Sequence, residues 1–218
     1  MAFPEQLIAK LGHPGVVAGF SVERAESAVP VARALLEGGI SAIELTLRTE
    51  AGLEGIRAIA ADVPEILLGV GTILTPEQVK QVKEAGAAFG VAPGMNPRVI
   101  EASKAAGLPF APGIATPTEL EQAIELGCRF VKFFPAEAAG GLAYLRSMAA
   151  PYRHLGIRYF PLGGINENNM QEWLSEPDVP AVGGSWIVQG DLVRNEDWAA
   201  IRERATHVAN LLAQENHS

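Results

Sequence analysis

The sequence contains one cysteine, Cys128, among its 218 residues. A single cysteine cannot form a disulfide within the chain, and this is typical of proteins from reducing compartments. Its position beside an apolar run favours a buried thiol over a reactive one. The chain also lacks an apolar stretch long enough to cross a bilayer, and residues 1–12 lack the apolar core of a signal peptide. We therefore expect a cytoplasmic protein that has no membrane partner.

Aromatic residues make up only 6% of the chain, and an excess of acidic side chains gives a net charge of -8 at pH 7. An acidic balance disfavours nucleic-acid binding, because nucleic-acid phosphates are attracted to basic patches. The histidines are scattered, and none has the spacing of a zinc ligand: His13, His154, His207 and His217. These absences predict no nucleic-acid partner, no metal and no cofactor, so the expected partner is a small molecule.

Short apolar runs alternate with amphipathic segments along the chain. The runs predict eight strands, at residues 16–20, 42–46, 67–70, 89–92, 110–112, 129–133, 159–162 and 181–183. Helical patterns precede, separate and follow them, at residues 4–11, 23–37, 51–61, 76–85, 97–106, 118–126, 142–149, 168–175 and 197–214. Strict alternation of strands and helices predicts an α/β fold with parallel strand pairing.

Two architectures share this alternation, the closed (β/α)8 TIM barrel and the doubly wound open sheet. The count of eight units favours the barrel, and the first strand-to-helix turn lacks the G-x-G-x-x-G motif of dinucleotide-binding sheets. No shift in composition marks a linker. We therefore predict one domain over residues 1–218, a barrel whose amino-terminal end is covered by the short leading helix. Chemistry is then expected at the carboxyl ends of the strands.

One predicted strand carries a lysine among aromatic residues. Alternation puts Phe130, Lys132 and Phe134 on the same face, and an ammonium group in apolar surroundings is unfavourable unless it is paired or deprotonated. The alternative is an edge strand whose lysine reaches water. A second predicted strand shows the same anomaly with a carboxylate, Glu44. A desolvated lysine and a separate carboxylate are the minimum equipment for imine chemistry on a carbonyl substrate.

Other polar and small residues lie where the predicted strands end. Arg48 and Thr72 follow the second and third strands. Glu137 follows the strand that carries Lys132, and we predict a loop residue without a catalytic role. Glycine pairs at 163–164 and 183–184 follow the seventh and eighth strands, and the second pair is followed by Ser185. Barrels often bind phosphate at this place through backbone N–H groups. The two pairs together therefore predict a phosphate site.

Five separated motifs carry a resemblance to a known family. They are IELTLRT at 43–49, GVGT at 69–72, APG at 92–94, FVKFFPAE at 130–137 and GGI at 163–165. In this order and spacing they resemble the bacterial 2-keto-3-deoxy-6-phosphogluconate / 4-hydroxy-2-oxoglutarate aldolases, over nearly the whole chain. The resemblance implies a class I, metal-free aldolase of the Entner–Doudoroff route, a homotrimeric barrel that releases pyruvate from a 2-keto acid.

The same resemblance implies roles for individual residues. Lys132 would form the Schiff base and Glu44 would carry protons. The pyruvyl and carboxylate end would be lined by Arg48, Thr72, Pro93 and Phe134. The phosphate would be held by Gly163, Gly164, Gly184 and Ser185.

Two positions depart from the family pattern and leave the substrate open. Leu162 stands where threonine is found in the best-known members, and residues 17–20 read VAGF where a proline and aliphatic residues are common. The leading substrate is 2-keto-3-deoxy-6-phosphogluconate, and the alternatives are 4-hydroxy-2-oxoglutarate and the phosphogalactonate epimer. A phosphate-binding barrel isomerase or synthase, whose lysine only pairs with phosphate, is a more distant alternative. A sugar-phosphate binding module without enzymatic activity is another.

Overall fold

Strands and helices alternate in the computed structural model, which describes residues 3–215. Within this range the strands are β1 (Val16–Phe20), β2 (Ala42–Thr46), β3 (Leu67–Gly71), β4 (Phe89–Val91), β5 (Phe110–Ala111), β6 (Gly113–Ile114), β7 (Phe130–Phe133), β8 (Arg158–Pro161) and β9 (Val182–Gly184). The helices are α1 (Glu5–Leu11), α2 (Ala28–Glu37), α3 (Gly52–Asp62), α4 (Pro76–Glu84), α5 (Pro97–Ala106), α6 (Pro117–Glu125), α7 (Gly141–Ala149), α8 (Met170–Leu174), α9 (Gly190–Arg194) and α10 (Trp198–Glu215). Residues 1–2 and 216–218 of the expected domain, His217 among them, lie outside the described residues.

The strands form two sheets, and every strand pair is parallel. Six strands follow the order β5-β4-β3-β2-β1-β9, and three follow the order β6-β7-β8. A parallel bridge between Leu162 and Gly183 connects the end of β8 to β9. The predicted α/β class with parallel strands is therefore confirmed, and the larger sheet is a curled sheet of six strands.

All eight predicted strand positions carry strands, but the fifth is divided in two. Pro112 separates β5 from β6 because proline has no N–H group to donate to a ladder. Phe110 and Ala111 pair with β4, whereas Gly113 and Ile114 pair with β7. The strand predicted at 110–112 therefore ends one residue earlier than predicted, β6 was not predicted, and the chain passes from one sheet to the other at Pro112.

Two helix predictions also need correction. The helix predicted from residue 23 begins at Ala28, after a 3-10 turn over Ala25–Ser27. The short helix α9 (Gly190–Arg194) was not predicted, because five residues give no clear helical period. Elsewhere the bounds differ by at most two residues. At α4 and α6 the reason is local, since Thr75 and Thr116 close capping boxes with Gln78 and Glu119.

The inner faces of both sheets contribute to one apolar cluster. Its buried members are Phe3, Ile8, Leu11, Val17, Ala42, Phe89, Val91, Ala111, Phe130, Phe160, Leu162 and Ala181. Ile8 and Leu11 come from α1, Phe3 lies two residues before it, and the rings of Phe3 and Phe130 lie 4.5 Å apart between centroids. The leading helix therefore covers the amino-terminal end of this inner core, as the sequence predicts. Alternate residues such as Ile43 and Val131 face outward and pack in a second cluster beneath the helices.

Two features of the chain outside the site follow the sequence analysis. Cys128 is buried, and this burial raises the pKa of its thiol, as expected for a structural rather than a reactive cysteine. No helix within residues 3–215 combines the length and the apolar character that a membrane span requires.

Candidate active site

Lys132 lies on the inner face of β7, the central strand of the smaller sheet. Only 5% of this residue is exposed, so the alternative of an edge strand with its amine in water is wrong. Phe130 lies one pleat below it in the inner core, and the ring of Phe134 lies above it, with its centroid 5.4 Å from Nζ. The aromatic surroundings inferred from the alternation of the strand are therefore present around the amine.

The buried lysine is paired with the buried carboxylate. Lys132 Nζ donates a hydrogen bond of 2.9 Å to Glu44 Oε1, across 88 residues of sequence. Glu44 lies on β2 in the larger sheet and is 2% exposed. Removing two charges from water is unfavourable, and their attraction repays this only when the geometry is close, as it is here. The two residues therefore form one unit in which a proton can pass between amine and carboxylate.

Space for this pair comes from glycines on the strands that flank β2. A Cβ atom at Gly71 would lie 1.9 Å from Glu44 Oε1, far inside van der Waals contact, while one at Gly19 would lie 4.0 Å from Oε2. The carboxylate therefore leans toward β3. At Gly71 the side chain that needs the space is Glu44.

Arg48 and Thr72 stand together at the carboxyl ends of β2 and β3. Arg48 Nε donates to Thr72 Oγ1 at 3.5 Å, and Arg48 is exposed to solvent. The backbone of Thr72 has a φ of 62°, which is rare for a β-branched residue and costs about 1–3 kcal/mol. Strain of this kind persists only where the surroundings impose it, and it is common at ligand sites.

A cavity of about 410 Å³ opens at the carboxyl ends of the strands, above the Lys132–Glu44 pair. Seven of the ten predicted site residues line it: Glu44, Arg48, Lys132, Phe134, Gly163, Gly184 and Ser185. The other three lie behind this wall. Thr72 contacts Arg48, the Pro93 carbonyl fills the place of a Cβ at Gly113, and Gly164 packs against Glu137. The cavity is large enough for a small organic acid.

Another part of the cavity wall contains glycine main chain from two neighbouring strand ends. Gly163 and Gly164 have φ values of 97° and 85°, which side chains other than glycine rarely adopt. Gly163 lies against Phe134 and Pro135. On the neighbouring strand, Gly184 is the last residue of β9 rather than a residue beyond it, and Ser185 follows at the surface. One glycine of each pair, Gly163 and Gly184, thus lines the cavity.

Several cavity residues were not predicted, namely Phe20, Ser21, Val188, Gln189 and Gly190. They follow the carboxyl ends of β1 and β9, which are paired in the larger sheet. The position of Phe20 at the end of the first predicted strand was a usable signal, because carboxyl ends of strands form this rim. Gln189 had no such signal, since it lies five residues beyond β9.

Two remaining predictions concern residues near the site. Glu137, which was given no catalytic role, accepts a hydrogen bond of 2.8 Å from Trp173 Nε1 and so has a structural partner. Among residues 3–215 no group of three or more histidine, cysteine or acidic side chains is arranged to hold a metal ion.

Comparison with known proteins places this geometry in context. The family model for KDPG and KHG aldolases, where KDPG is 2-keto-3-deoxy-6-phosphogluconate and KHG is 4-hydroxy-2-oxoglutarate, matches residues 7–204. A 2-dehydro-3-deoxy-phosphogluconate aldolase of Treponema pallidum is 46% identical over 85% of this chain and 88% of its own length. A KHG/KDPG aldolase of Escherichia coli is 41% identical over 87% of this chain and 88% of its own.

One solved structure has a fold similar to that of this chain. It is a KDPG aldolase from Legionella pneumophila with pyruvate captured at low pH as a covalent carbinolamine intermediate. The sequences are 35% identical, the TM-score is 0.87, and the match covers 92% of this chain and 97% of that one. In that relative, therefore, the fold holds pyruvate as a covalent adduct.

Proposed function

The chain belongs to the family of KDPG and KHG aldolases, and from this we propose that it reversibly cleaves 2-keto-3-deoxy-6-phosphogluconate to pyruvate and glyceraldehyde 3-phosphate. One observation carries the proposal: a buried lysine and a buried carboxylate are hydrogen-bonded beneath a cavity of about 410 Å³. Pyruvate release from the phosphogluconate, followed with lactate dehydrogenase and NADH, tests the reaction. If the purified enzyme released no pyruvate above background, the proposed reaction would be wrong.

Lys132 is the proposed nucleophile. Transfer of a proton through the 2.9 Å hydrogen bond to Glu44 leaves a neutral amine. The amine attacks C2 of the keto acid to give a carbinolamine, and Glu44 returns its proton to the departing hydroxyl group, so that water leaves, an iminium ion remains and Glu44 is again a carboxylate. The iminium nitrogen then draws in the electron pair that is released when the C3–C4 bond breaks. Phe134, whose ring lies 5.4 Å from Nζ, packs beside this cation and excludes water.

Glu44 is the proposed acid and base. It takes the proton of the C4 hydroxyl as the C3–C4 bond breaks, which frees glyceraldehyde 3-phosphate and leaves an enamine on Lys132. It then returns a proton to C3 of the enamine, and hydrolysis of the resulting iminium ion releases pyruvate. Its carboxylate already contacts Nζ, so one group reaches both ends of the cycle.

The two ends of the cavity suggest how the substrate is oriented. Arg48 is proposed to pair with the carboxylate of the keto acid, with Thr72 holding its guanidinium at 3.5 Å and Pro93 supporting the wall behind them. The phosphate is proposed to bind at Gly163, Gly164, Gly184 and Ser185, since glycine backbone lets N–H groups approach an anion closely. This places the reacting carbons at Lys132, between two anion-binding ends.

Ser185→Ala tests the phosphate end. The hydroxyl is proposed to donate to the phosphate, and a hydrogen bond to a charged group contributes about 1.5–3 kcal/mol. We expect kcat/KM for the phosphogluconate to fall roughly ten- to hundredfold, mainly through KM, with little change for 4-hydroxy-2-oxoglutarate. Ser147→Ala is the matched control, because Ser147 Oγ donates to Ala143 O on α7, away from the cavity. Equal losses for both substrates would mean that Ser185 does not read the phosphate.

Leu162 favours a second candidate substrate, 4-hydroxy-2-oxoglutarate. It lines the cavity, is 6% exposed, and fills the space beside Gly183 without offering a hydrogen bond. A substrate without a phosphate group needs fewer hydrogen-bond donors in this region. The phosphogluconate assignment fails if the enzyme cleaves 4-hydroxy-2-oxoglutarate at least as efficiently and inorganic phosphate competes with neither. The phosphogalactonate epimer is distinguished by the same assay on the two epimers.

The more distant readings are not favoured. An isomerase or synthase in which the lysine only pairs with phosphate would leave Lys132 open to the anion, whereas its amine is buried and bonded to Glu44. A binding module without activity would need no buried Glu44 beside the lysine.

We also propose that the two sheets close into one (β/α)8 barrel and one domain over residues 1–218. The shared inner core and the bridge from Leu162 to Gly183 support closure, with β5 and β6 counted as one interrupted strand. From the family resemblance we propose a cytoplasmic homotrimer of the Entner–Doudoroff route. Sedimentation equilibrium should give three times the mass of the chain, and a monomeric mass would contradict the trimer.

A further inference from the structure

Thr46 has a hydroxyl that the mechanism above does not use. The residue ends β2, is 5% exposed and lines the cavity, yet its Oγ1 is buried and has no hydrogen-bond partner among residues 3–215. Other shielded hydroxyls are satisfied: Ser103 Oγ donates to Val99 O at 2.8 Å, and Thr49 Oγ1 donates to Val22 O at 2.6 Å. A buried unpaired hydroxyl is unfavourable, and valine has the same shape without that cost. The hydroxyl therefore suggests a partner in another state of the site.

The nearest candidate partner is the carboxylate of Glu44. The two residues are two apart on one face of β2, which separates their Cα atoms by roughly 6.6 Å. The Glu44 side chain closes much of this gap, because its Oε1 lies 1.9 Å from the place of a Cβ at Gly71. Gly71 is the register partner of Thr46 on β3. The carboxylate and the Thr46 hydroxyl thus lie at the same level of the site.

The ion pair between Lys132 and Glu44 explains why Thr46 is not hydrogen-bonded to Glu44 in the free enzyme. Glu44 Oε1 accepts from Lys132 Nζ at 2.9 Å, and this ion pair sets the direction of the carboxylate. When Nζ becomes an iminium nitrogen, it keeps one N–H of its three and is held by the new bond to C2, so the ammonium no longer sets the direction of the carboxylate. Glu44 must then stay aimed at the substrate carbons through two proton transfers.

Resting on the function proposed above, we infer that Thr46 donates its hydroxyl proton to the Glu44 carboxylate once Lys132 has formed the imine. Thr46 is then a positioning residue, which holds the base where it exchanges protons with the substrate. A direct bond from Thr46 to the substrate is less favourable, because Oγ1 is shielded from solvent and so from the open part of the cavity. Imine formation itself does not need the hydroxyl.

The test separates imine formation from proton transfer with pyruvate as the probe. Borohydride trapping at increasing pyruvate concentrations measures the imine, and deuterium exchange from solvent into the pyruvate methyl group, followed by NMR, measures proton transfer at C3. For Thr46→Val we expect unchanged half-saturation in trapping and an exchange rate that falls roughly ten- to hundredfold, the effect of one hydrogen bond to a charged group. Thr46→Ser keeps the hydroxyl and should restore most of the rate.

Stability distinguishes this role from a structural one. The unfolding midpoint of Thr46→Val should equal or exceed that of the wild type, since an unpaired buried hydroxyl has been removed. Thr49→Val is the matched control, because it loses the bond to Val22 O and should unfold more easily while keeping its exchange rate. Because Thr46→Ser is the smallest change, its rate remains informative if the valine variant fails to fold.

Two results would overturn the inference while leaving the aldolase function in place. One is an exchange rate in Thr46→Val equal to that of the wild type. The other is a raised half-saturating pyruvate concentration with unchanged exchange at saturation, which would place the hydroxyl on the substrate. Wild-type enzyme that is neither trapped nor active in exchange would instead remove the proposed function, and the inference with it.

Discussion

Lys132→Ala is expected to abolish both turnover and the covalent trapping of pyruvate by borohydride. No other group of the cavity can form the Schiff base, because Lys132 is the only lysine among the residues of the described chain that line it. Mass spectrometry of the wild-type enzyme after trapping should find the three-carbon adduct on the peptide that contains Lys132. Without the nucleophile the rate should fall to the level of the uncatalysed assay.

Two controls test whether the loss of trapping is specific to Lys132 and whether it arises only because the variant is unfolded. Lys104→Ala removes a surface lysine whose Nζ bonds to Glu101 at 2.7 Å, and it should be trapped like the wild type. Lys132→Ala leaves the Glu44 carboxylate buried without its partner, which costs about 3–5 kcal/mol and can unfold the protein. The double variant Lys132→Met/Glu44→Gln replaces the pair by neutral groups and should be folded and inactive. Trapping that survives in Lys132→Ala, or maps to Lys80, Lys83 or Lys104, would contradict the assignment.

Glu44→Gln is expected to separate the two halves of the reaction. The amide keeps the shape of the side chain and can still accept a bond from Nζ, but it carries no proton between substrate atoms. Imine formation with pyruvate should continue, because the amine can lose its proton to water instead, while turnover of the phosphogluconate falls by roughly two to four orders of magnitude. Trapping yield and steady-state turnover, measured on the same preparation, check the two halves.

Glu137→Gln is the matched control for the carboxylate. Glu137 follows the lysine strand and bonds to Trp173 Nε1 at 2.8 Å, so its replacement should cost some stability and little turnover. Near-normal turnover in Glu44→Gln would move the acid–base role to another group. A large loss of turnover in a well-folded Glu137→Gln variant would point to that group.

Much of the fold was predictable because its signals are local. Strand positions follow from apolar runs bounded by glycine and proline, and helix starts follow from caps such as Thr75 with Gln78. The alternation on β7 likewise predicted which face of the strand carries Lys132 with Phe130 and Phe134. Each of these depends on residues within one or two turns of chain.

The division at Pro112 was not predictable from the same signals. The proline is visible in the sequence, and its missing N–H group explains a gap in a ladder. Which neighbours would take the residues on either side depends on strand order: Ala111 pairs with Val91, whereas Gly113 pairs with Lys132. Strand order is a property of the folded sheets and leaves no mark on a window of a few residues.

The sequence by itself therefore determined the elements of this protein, the faces of its strands and the chemical character of Lys132 and Glu44. Only the tertiary structure decided that these two side chains meet at 2.9 Å, that Gly71 leaves space for the carboxylate, and that the Thr46 hydroxyl is buried with no partner within residues 3–215. The physical reason is the separation along the chain over which each kind of interaction acts. Backbone preferences and side-chain periodicity act between near neighbours, whereas a contact across 88 residues is set by how the strands of two sheets pack around a shared core.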